Sequence, residues 1–223
     1  MRSEEIVDLK GKTINFLGDS ITEGIGVKDP QNVYHQIIKE KFGLKSANNY
    51  GISGTRIAKQ RIPTVESLSF DQWFASRIDN MTDKADAIIV FGGTNDWGHG
   101  DALIGTFSDR TDETFYGACH NLFEKLICKY PGKPIVIVTP LHRIGEYDLH
   151  IRGEMKLSLK NYVDIIKEVA IHYSLPVCDL YAISGIQPDV EIIRKKFIPD
   201  GLHPNDAGHA ILAERIGSFL RNL

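Results

Sequence analysis

Short, continuous apolar runs constrain the fold of this chain more than any other feature of its sequence. Ala87–Phe91 and residues 135–139 are almost entirely apolar, as expected of strands that are buried on both faces of a sheet. Segments with apolar residues at helical spacing lie between and after these runs, and residues 159–173 form the clearest such stripe. Because strand-like and helix-like segments alternate, the sequence predicts an α/β fold with a parallel sheet and helices on both of its faces.

The other segments fit the same alternation. Further strands are predicted at residues 13–17, 46–50 and 176–180. Further helices are predicted from a cap at Asn32 to Gly43, from Ser69 to Ile78, from Thr111 to Leu126, and near the C-terminus around Ile216. Residues 98–110 and 141–153 are predicted to be loops. No repeat, low-complexity tract or linker interrupts the pattern, so we expect a single domain over residues 1–223.

Charge and hydropathy argue against several classes of protein. The formal net charge of −3 gives no indication of a nucleic-acid partner. No apolar run approaches the ~20 residues that a membrane-spanning helix needs. The first six residues are charged and carry no apolar signal core, so we expect a cytoplasmic protein.

The three cysteines, Cys119, Cys128 and Cys178, are predicted to be reduced and buried. The first two fall on one predicted helix, where nine residues separate them by ~13 Å, which is too far for a disulfide. Cys178 lies in a strand-like apolar run. Reduced thiols are typical of an intracellular protein.

Polar and glycine-rich clusters follow three of the predicted strands. These clusters are Gly18-Asp19-Ser20, residues 51–54 and residues 92–96. Parallel strands end at the same edge of a sheet, and that edge is where open α/β sheets bind their ligands. A fourth cluster, residues 200–205, precedes the last predicted helix. We therefore expect the clusters to form one site.

The residue types in these clusters suit nucleophilic catalysis. Ser20 is a candidate nucleophile, but serine needs a base to activate it. Asp200 and His203 are three residues apart around a glycine, a spacing that allows the carboxylate to accept a hydrogen bond from imidazole Nδ1 and leaves Nε2 for the serine. The oxyanion formed by attack on an ester needs fixed donors. Its candidate donors are the backbone N–H groups of Ser20 and Gly54 and the side-chain amide of Asn95.

The four clusters together resemble the sequence blocks of the SGNH/GDSL hydrolase superfamily. They occur in the family's order and span the chain, and the one departure is Ile21 in place of the leucine of the name-giving motif. The resemblance implies a flavodoxin-like, three-layer α/β/α sandwich of about five parallel strands, and ester hydrolysis without a metal or cofactor. It also implies that Ser20 is the nucleophile, His203 the base and Asp200 its orienting partner, with Gly54 and Asn95 completing the oxyanion hole.

Simpler interpretations of these residues remain open at this point. Ser20 could be an ordinary turn or cap residue, and Asp200 with His203 could merely tie down the last helix. Asp19, Trp97 and His142 are candidates for lining the substrate pocket, although Trp97 fits a core position equally well. Four histidines, His99, His142, His150 and His209, could also reach the pocket, but we expect them at the solvated surface.

Metal and nucleotide chemistry have little support in the sequence. Five residues (Asp19, Asp96, His142, Asp200 and His203) could be combined into a metal site, but the Asp-x-His pair and the Gly-Asn-His-Asp/Glu block of metal phosphoesterases are absent from the sequence. Residues 18–26 contain neither G-x-x-x-x-G-K-[ST] nor G-x-G-x-x-G, so they do not form a phosphate-binding loop.

The sequence therefore favours a serine esterase that acts on small-molecule esters with short acyl groups. An acetyl ester on a carbohydrate is the leading substrate hypothesis, which rests on the family resemblance and on the polar loops at residues 98–110 and 141–153. A lipase, lysophospholipase or thioesterase acting on longer acyl chains is the alternative within the enzymes. A non-catalytic carbohydrate-binding protein that keeps the fold is the alternative from another class. The sequence leaves the oligomeric state open.

Overall fold

The computed structural model describes residues 7–64 and 68–223, and its centre is a parallel β-sheet. The strands are β1 (Thr13–Gly18), β2 (Ser46–Gly51), β3 (Ala87–Phe91), β4 (Ile135–Val138), β5 (His150–Arg152), β6 (Met155–Leu157) and β7 (Val177–Cys178). Five of them form the sheet, in the order β2-β1-β3-β4-β7. All of its neighbouring strands run parallel. β5 and β6 form a separate antiparallel hairpin.

Helices and short 3-10 turns connect the strands. The helices are α1 (Ser20–Glu23), α2 (Tyr34–Phe42), α3 (Phe74–Arg77), α4 (Thr94–Gly98), α5 (Phe115–Lys129), α6 (Leu159–His172), α7 (Leu180–Ile183), α8 (Glu191–Phe197) and α9 (Asp206–Arg221). The 3-10 turns are Pro30–Asn32, Leu68–Asp71 and Ile78–Asn80. No helix in the described part of the chain is long and apolar enough to cross a membrane.

The sheet divides the core into two hydrophobic clusters, one on each face. Successive residues of β3 alternate between them: Ile88 packs with α5 and α6, whereas Ile89 packs with α2 and α9. Every residue of β3 is buried, as expected for a strand covered on both sides. The predicted α/β/α sandwich with a parallel sheet of about five strands is therefore confirmed.

The predicted helix from Ser69 to Ile78 is wrong, because the segment breaks at Trp73. Trp73 is extended, with φ −63° and ψ 159°, and it separates a 3-10 turn from α3. The two groups that would form the helical hydrogen bond across the break bind Arg56 instead. Phe70 O accepts from Arg56 Nη1 at 3.1 Å, and Phe74 N donates to Arg56 O at 3.0 Å. A long-range contact thus overrides the local helical pattern.

Other boundaries also differ from the sequence prediction. Asn32 closes a 3-10 turn, and Val33 precedes α2 in its place. Residues 141–153 are not wholly irregular, since they include β5, which turns into β6 through Gly153 at φ +66°. The short helices α7 and α8 were not predicted.

The prediction that all three cysteines are buried is wrong for Cys128. Cys119 and Cys178 are buried, whereas Cys128 is exposed. Cys119 and Cys128 do share one helix, α5. Nine residues correspond to about two and a half helical turns, so the two side chains point to opposite sides of the helix.

Candidate active site

Three of the four sequence clusters meet at one edge of the sheet, as predicted. Gly18 at the end of β1 is in register with Gly51 of β2 on one side and with Phe91 of β3 on the other. α1 begins at Ser20 and α4 begins at Thr94, directly beyond these strand ends. The chain therefore carries Ser20, the Gly54 loop and Asn95 out of the same end of the sheet.

The fourth cluster brings His203 to Ser20, although 183 residues separate them. Ser20 is 6% exposed, and its Oγ lies 3.1 Å from His203 Nε2. His203 Nδ1 lies 2.7 Å from Asp200 Oδ2. Because an ionised carboxylate only accepts hydrogen bonds, Nδ1 carries the donated proton and Nε2 faces the serine oxygen as an acceptor.

Asp200 also organises the turn that holds the histidine. Its Oδ1 accepts from the backbone N–H of Leu202 at 2.8 Å and of His203 at 2.7 Å. Partial burial acts to raise the pKa of Asp200, but these two backbone donors and the His203 side chain outweigh it and lower the pKa below its usual value. The carboxylate thus stays ionised and keeps the imidazole oriented.

Asp19 caps the helix that starts with the nucleophile. Its side chain accepts from Ile21 N at 3.0 Å, and it is 2% exposed. Burial raises the pKa of Asp19 to about 7, despite the lowering effect of the Ile21 hydrogen bond. Asp19 therefore lies beneath α1 and supports Ser20 by N-capping.

The other two candidate lining residues are packed in different ways. Trp97 is 3% exposed and belongs to the core, where its ring stacks on His150 at 4.4 Å. His142 is half-buried, and its Nδ1 lies 2.7 Å from Glu146 Oε1. The core interpretation of Trp97 is the one that the structure supports.

The loop that carries Gly54 has the backbone shape expected of a donor site. Gly54 has φ +72°, and a Cβ at this position would lie 2.7 Å from the ring of Phe70, so the position suits glycine alone. Among the residues that the structure describes, no acceptor pairs with Gly54 N or with Ser20 N. As far as the described residues extend, these two N–H groups are left for a ligand.

Asn95 and Asp96 tie the start of α4 to the same loop. Asn95 Nδ2 donates to Thr55 O at 3.0 Å, one residue beyond Gly54. The two oxygens of Asp96 accept from Ile57 N at 2.9 Å and Ala58 N at 2.8 Å. Burial raises the pKa of Asp96 to about 6, although both backbone donors act to lower it. Three buried hydrogen bonds thus join the loop to α4.

Two further charged residues brace the site and were missed by sequence reasoning. Arg77, 5% exposed, donates to Tyr50 O at 2.6 Å and to Gly18 O at 3.1 Å, which joins the ends of β2 and β1. Glu23 of α1 accepts from Ser53 N at 2.6 Å, which joins the nucleophile helix to the Gly54 loop. An arginine on the apolar stripe of residues 70–78 was the one sequence signal for Arg77.

The four additional histidines differ in their surroundings. His99 is exposed, and His142 and His150 are half-buried. The surface prediction is wrong for His209, which is fully buried and accepts from Tyr34 N through Nδ1 at 3.1 Å. Burial lowers the pKa of His209 to about 3, because the charged form loses its hydration.

A cavity of about 500 Å³ opens beside the Gly54 loop. Phe70, the ring packed on Gly54, lines it together with Gln60, His99 and Asp101. Arg56, Ile62 and Pro63 also line it, so the lining combines apolar side chains with amide, imidazole, carboxylate and guanidinium groups. Within residues 7–64 and 68–223, no three His, Cys, Asp or Glu side chains are grouped so that they could hold a metal ion.

The sequence matches the GDSL-like lipase/acylhydrolase family over residues 16–211. The chain belongs to this family. The resemblance of its four blocks to the SGNH/GDSL hydrolase superfamily is thus confirmed.

Similar proteins are known from sequence and from structure. An acetylxylan esterase from Xylanibacter ruminicola is 24% identical over 222 residues, an alignment that covers 92% of this chain but 42% of that protein. A solved structure from Lactobacillus plantarum superimposes with a TM-score of 0.80 at 29% identity and covers 95% of this chain and 97% of that one. A two-domain esterase active on acetylated mannans has a TM-score of 0.63 at 22% identity and covers 94% of this chain and 48% of that one. This GDSL-family chain spans less than half the length of the acetylxylan esterase and of the two-domain esterase.

Proposed function

We propose that this chain hydrolyses short-acyl carboxylic esters, with O-acetyl groups on carbohydrates as the leading substrates. The observation that carries the proposal is the linked geometry of three side chains. Ser20 Oγ lies 3.1 Å from His203 Nε2, and His203 Nδ1 lies 2.7 Å from Asp200 Oδ2. Both distances suit proton transfer between a nucleophile and an oriented base.

In the first half of the reaction, Ser20 Oγ attacks the ester carbonyl while His203 Nε2 takes the serine proton. Asp200 stabilises the imidazolium that forms. Collapse of the tetrahedral intermediate breaks the bond to the alcohol, which leaves with the proton from His203. The acyl group is then an ester of Ser20. Water, deprotonated by His203, attacks that ester in the second half, and the acid product leaves as Ser20 recovers its proton.

The negative charge on the carbonyl oxygen needs donors that are in place before the reaction. The backbone N–H groups of Ser20 and Gly54 and the amide of Asn95 are proposed to supply them. Asn95 Nδ2 uses one of its two hydrogens on Thr55 O, and the other remains for substrate. Donors of this kind act in the transition state more than in the ground state, so they lower the barrier to acyl transfer.

The choice of acetylated carbohydrate rests on two supports. One relative is an acetylxylan esterase, and one structural neighbour acts on acetylated mannans. The cavity beside the Gly54 loop is also lined by Phe70, Ile62 and Pro63 together with Gln60 and Asp101. Its apolar groups can pack on the face of a sugar ring, and its amide and carboxylate can bond the hydroxyls.

A specific observation favours longer acyl chains as the second candidate. Ile144 N donates to Gly201 O at 2.9 Å, which places residue 144 beside the catalytic turn. Ile144 and three residues that follow it, Tyr147, Leu149 and Ile151, are between 39% and 66% exposed. A series of p-nitrophenyl esters from acetyl to dodecanoyl distinguishes the two candidates. We expect kcat/KM to fall beyond butyryl, whereas a maximum at octanoyl or longer would favour the lipase assignment.

Replacing Ser20 by alanine tests whether the chain is catalytic through this residue. We expect Ser20→Ala to reduce the hydrolysis of p-nitrophenyl acetate by at least ~10³-fold, because no other group replaces the nucleophile. Ser218→Ala, which changes an exposed serine of α9, is the control and should retain wild-type turnover. Wild-type activity in Ser20→Ala would reject the mechanism, and an inactive wild-type protein that binds acetylated oligosaccharides would favour the non-catalytic alternative.

A further inference from the structure

Asn95 is bonded to His99, which is bonded in turn to Arg56, and neither residue takes part in the proposed proton transfers. His99 Nε2 lies 3.1 Å from Asn95 Oδ1, one helical turn along α4. The other ring nitrogen of His99, Nδ1, lies 2.6 Å from Arg56 Nη2. Arg56 is 3% exposed. The amide that faces the proposed oxyanion is therefore the end of a chain of hydrogen bonds that begins at a buried guanidinium.

The donors and acceptors in this chain follow from the chemistry of arginine. A guanidinium has only donors, so His99 Nδ1 must accept from Arg56. The ring proton of His99 then lies on Nε2, which donates to Asn95. The Asn95 atom that accepts it must be Oδ1, because the amide nitrogen has no lone pair to offer. Arg56 thus determines the tautomer of His99, and His99 determines the orientation of the amide.

The amide orientation decides whether Asn95 helps or opposes the reaction. The oxygen and nitrogen ends of an asparagine side chain have almost the same shape, so packing alone does not distinguish them. A reversed amide would present its oxygen to the developing negative charge. With Oδ1 bound to His99 and one Nδ2 hydrogen bound to Thr55 O at 3.0 Å, the remaining Nδ2 hydrogen is the group presented to substrate.

Arg56 is itself anchored to the segment that lines the cavity. Its Nη1 donates to Phe70 O at 3.1 Å and lies 3.5 Å from Asp71 Oδ1. Phe70 is the ring packed against Gly54. The same guanidinium thus contacts the support of one proposed oxyanion donor, Gly54, and reaches the other, Asn95, through His99.

We propose that His99, with its tautomer set by Arg56, is a positioning residue that holds the Asn95 amide in the orientation required for catalysis. The inference rests on the proposed function of the site. For p-nitrophenyl acetate, loss of His99 should lower kcat and leave KM almost unchanged, because a donor that acts on the oxyanion contributes in the transition state. This substrate has no sugar to occupy the cavity that His99 also lines.

Three substitutions of His99 separate positioning from packing. His99→Leu removes the hydrogen bonds to Arg56 and Asn95 and should lower kcat for p-nitrophenyl acetate by about 10- to 100-fold. His99→Gln can place an amide N–H near the position of Nε2, and it should recover most of that loss. His99→Asn keeps an acceptor for Arg56 but is too short to reach Asn95, so its kcat should be as low as that of His99→Leu. It replaces His99→Leu in the experiment if the leucine variant does not fold. His172→Leu, an exposed histidine on α6, is the matched control and should be as active as wild type.

A double-mutant cycle with Asn95 gives the decisive result. If His99 acts only through Asn95, His99→Leu should change kcat by less than about 2-fold in the Asn95→Ala background. Full additivity of the two substitutions, or a His99→Gln variant as slow as His99→Leu, would overturn the proposal. Retained activity in Ser20→Ala would show that the serine mechanism itself is wrong. If Asn95→Ala is slow and all His99 variants are fast, the serine mechanism stands and only the role of His99 is rejected.

Discussion

The two sides of the candidate site are built in different ways. On the base side, His203 depends on Asp200, whose side chain is 55% exposed on a surface turn. On the oxyanion side, Asp96 bonds the Gly54 loop to α4, Arg56 bonds His99, and Arg77 braces the strand ends below the loop. Asp96, Arg56 and Arg77 are each at most 5% exposed. The base side is thus a locally organised turn, whereas the oxyanion side is part of the protein interior. This difference indicates that the base side can be altered with little effect on folding, and the oxyanion side cannot.

The largest expected effect on catalysis comes from the base side. Asp200→Asn should lower kcat by about 10³- to 10⁴-fold, because an amide in place of Oδ2 favours the His203 tautomer with its proton on Nε2. The melting temperature should change by less than about 3 °C, since the side chain is more than half exposed and Asn can still accept from the turn. Thermal unfolding by circular dichroism, measured beside the kinetics, checks both parts. A large loss of stability would remove the contrast between the two sides.

Asn95→Ala should have a smaller effect on rate but a larger one on stability. We expect kcat to fall by about 10²- to 10³-fold with KM roughly unchanged. The free energy of unfolding should fall by about 1–3 kcal/mol, because Thr55 O and His99 lose buried partners. Urea unfolding at pH 7 measures this loss. An increase in KM with kcat intact would instead make Asn95 a substrate-binding residue.

The smallest expected effect is on the pH dependence of stability, and it comes from the buried residues beneath α1. α1 rests on a cluster in which Tyr34 Oη lies 3.0 Å from Thr22 Oγ1 and His209 Nδ1 accepts from Tyr34 N. Burial lowers the pKa of His209 to about 3, whereas the same side chain has a pKa of about 6.5 in the unfolded chain. Between these two pH values, the unfolded chain binds a proton at His209 and the folded protein does not. Stability from this residue is therefore complete above about pH 6.5 and is lost as the pH falls toward 3.

His209→Asn keeps an acceptor for Tyr34 N and removes the titration. Between pH 7 and pH 5, the wild-type protein should lose about 2 kcal/mol more stability than His209→Asn. Because Asp19 and Asp96 are present in both proteins, the opposite effects of their raised pKa values cancel in this difference. Equal pH dependence in the two proteins would show that the histidine is not held neutral.

The sequence predicted the sheet better than it predicted the residues that support the candidate site. β3 and β4 are visible as continuous apolar runs because both of their faces are covered. The segment from Ser69 to Ile78 has an equally regular pattern, but its helix is broken by hydrogen bonds to Arg56, which lies 14 residues from Phe70 along the chain. Periodicity describes local preference, and it contains no information about such a distant partner.

The same limit applies to the charged residues that brace the site. Arg56, Arg77 and His99 carry no motif, and their roles follow from which backbone carbonyls and amides the fold brings near them. Ser20, Asn95, Asp200 and His203 could be proposed from sequence because their residue types and order resemble a family pattern. The exposure of Cys128 could have been predicted from its half-turn offset from Cys119.

The central claim is that His203 activates Ser20, and covalent labelling tests it directly. The intact protein is treated with a fluorophosphonate probe, digested, and analysed by mass spectrometry to find the modified peptide. We predict that the label is on Ser20 and that His203→Gln slows labelling by at least ~10²-fold. Labelling of another residue, or of Ser20 at the same rate without His203, would contradict the account.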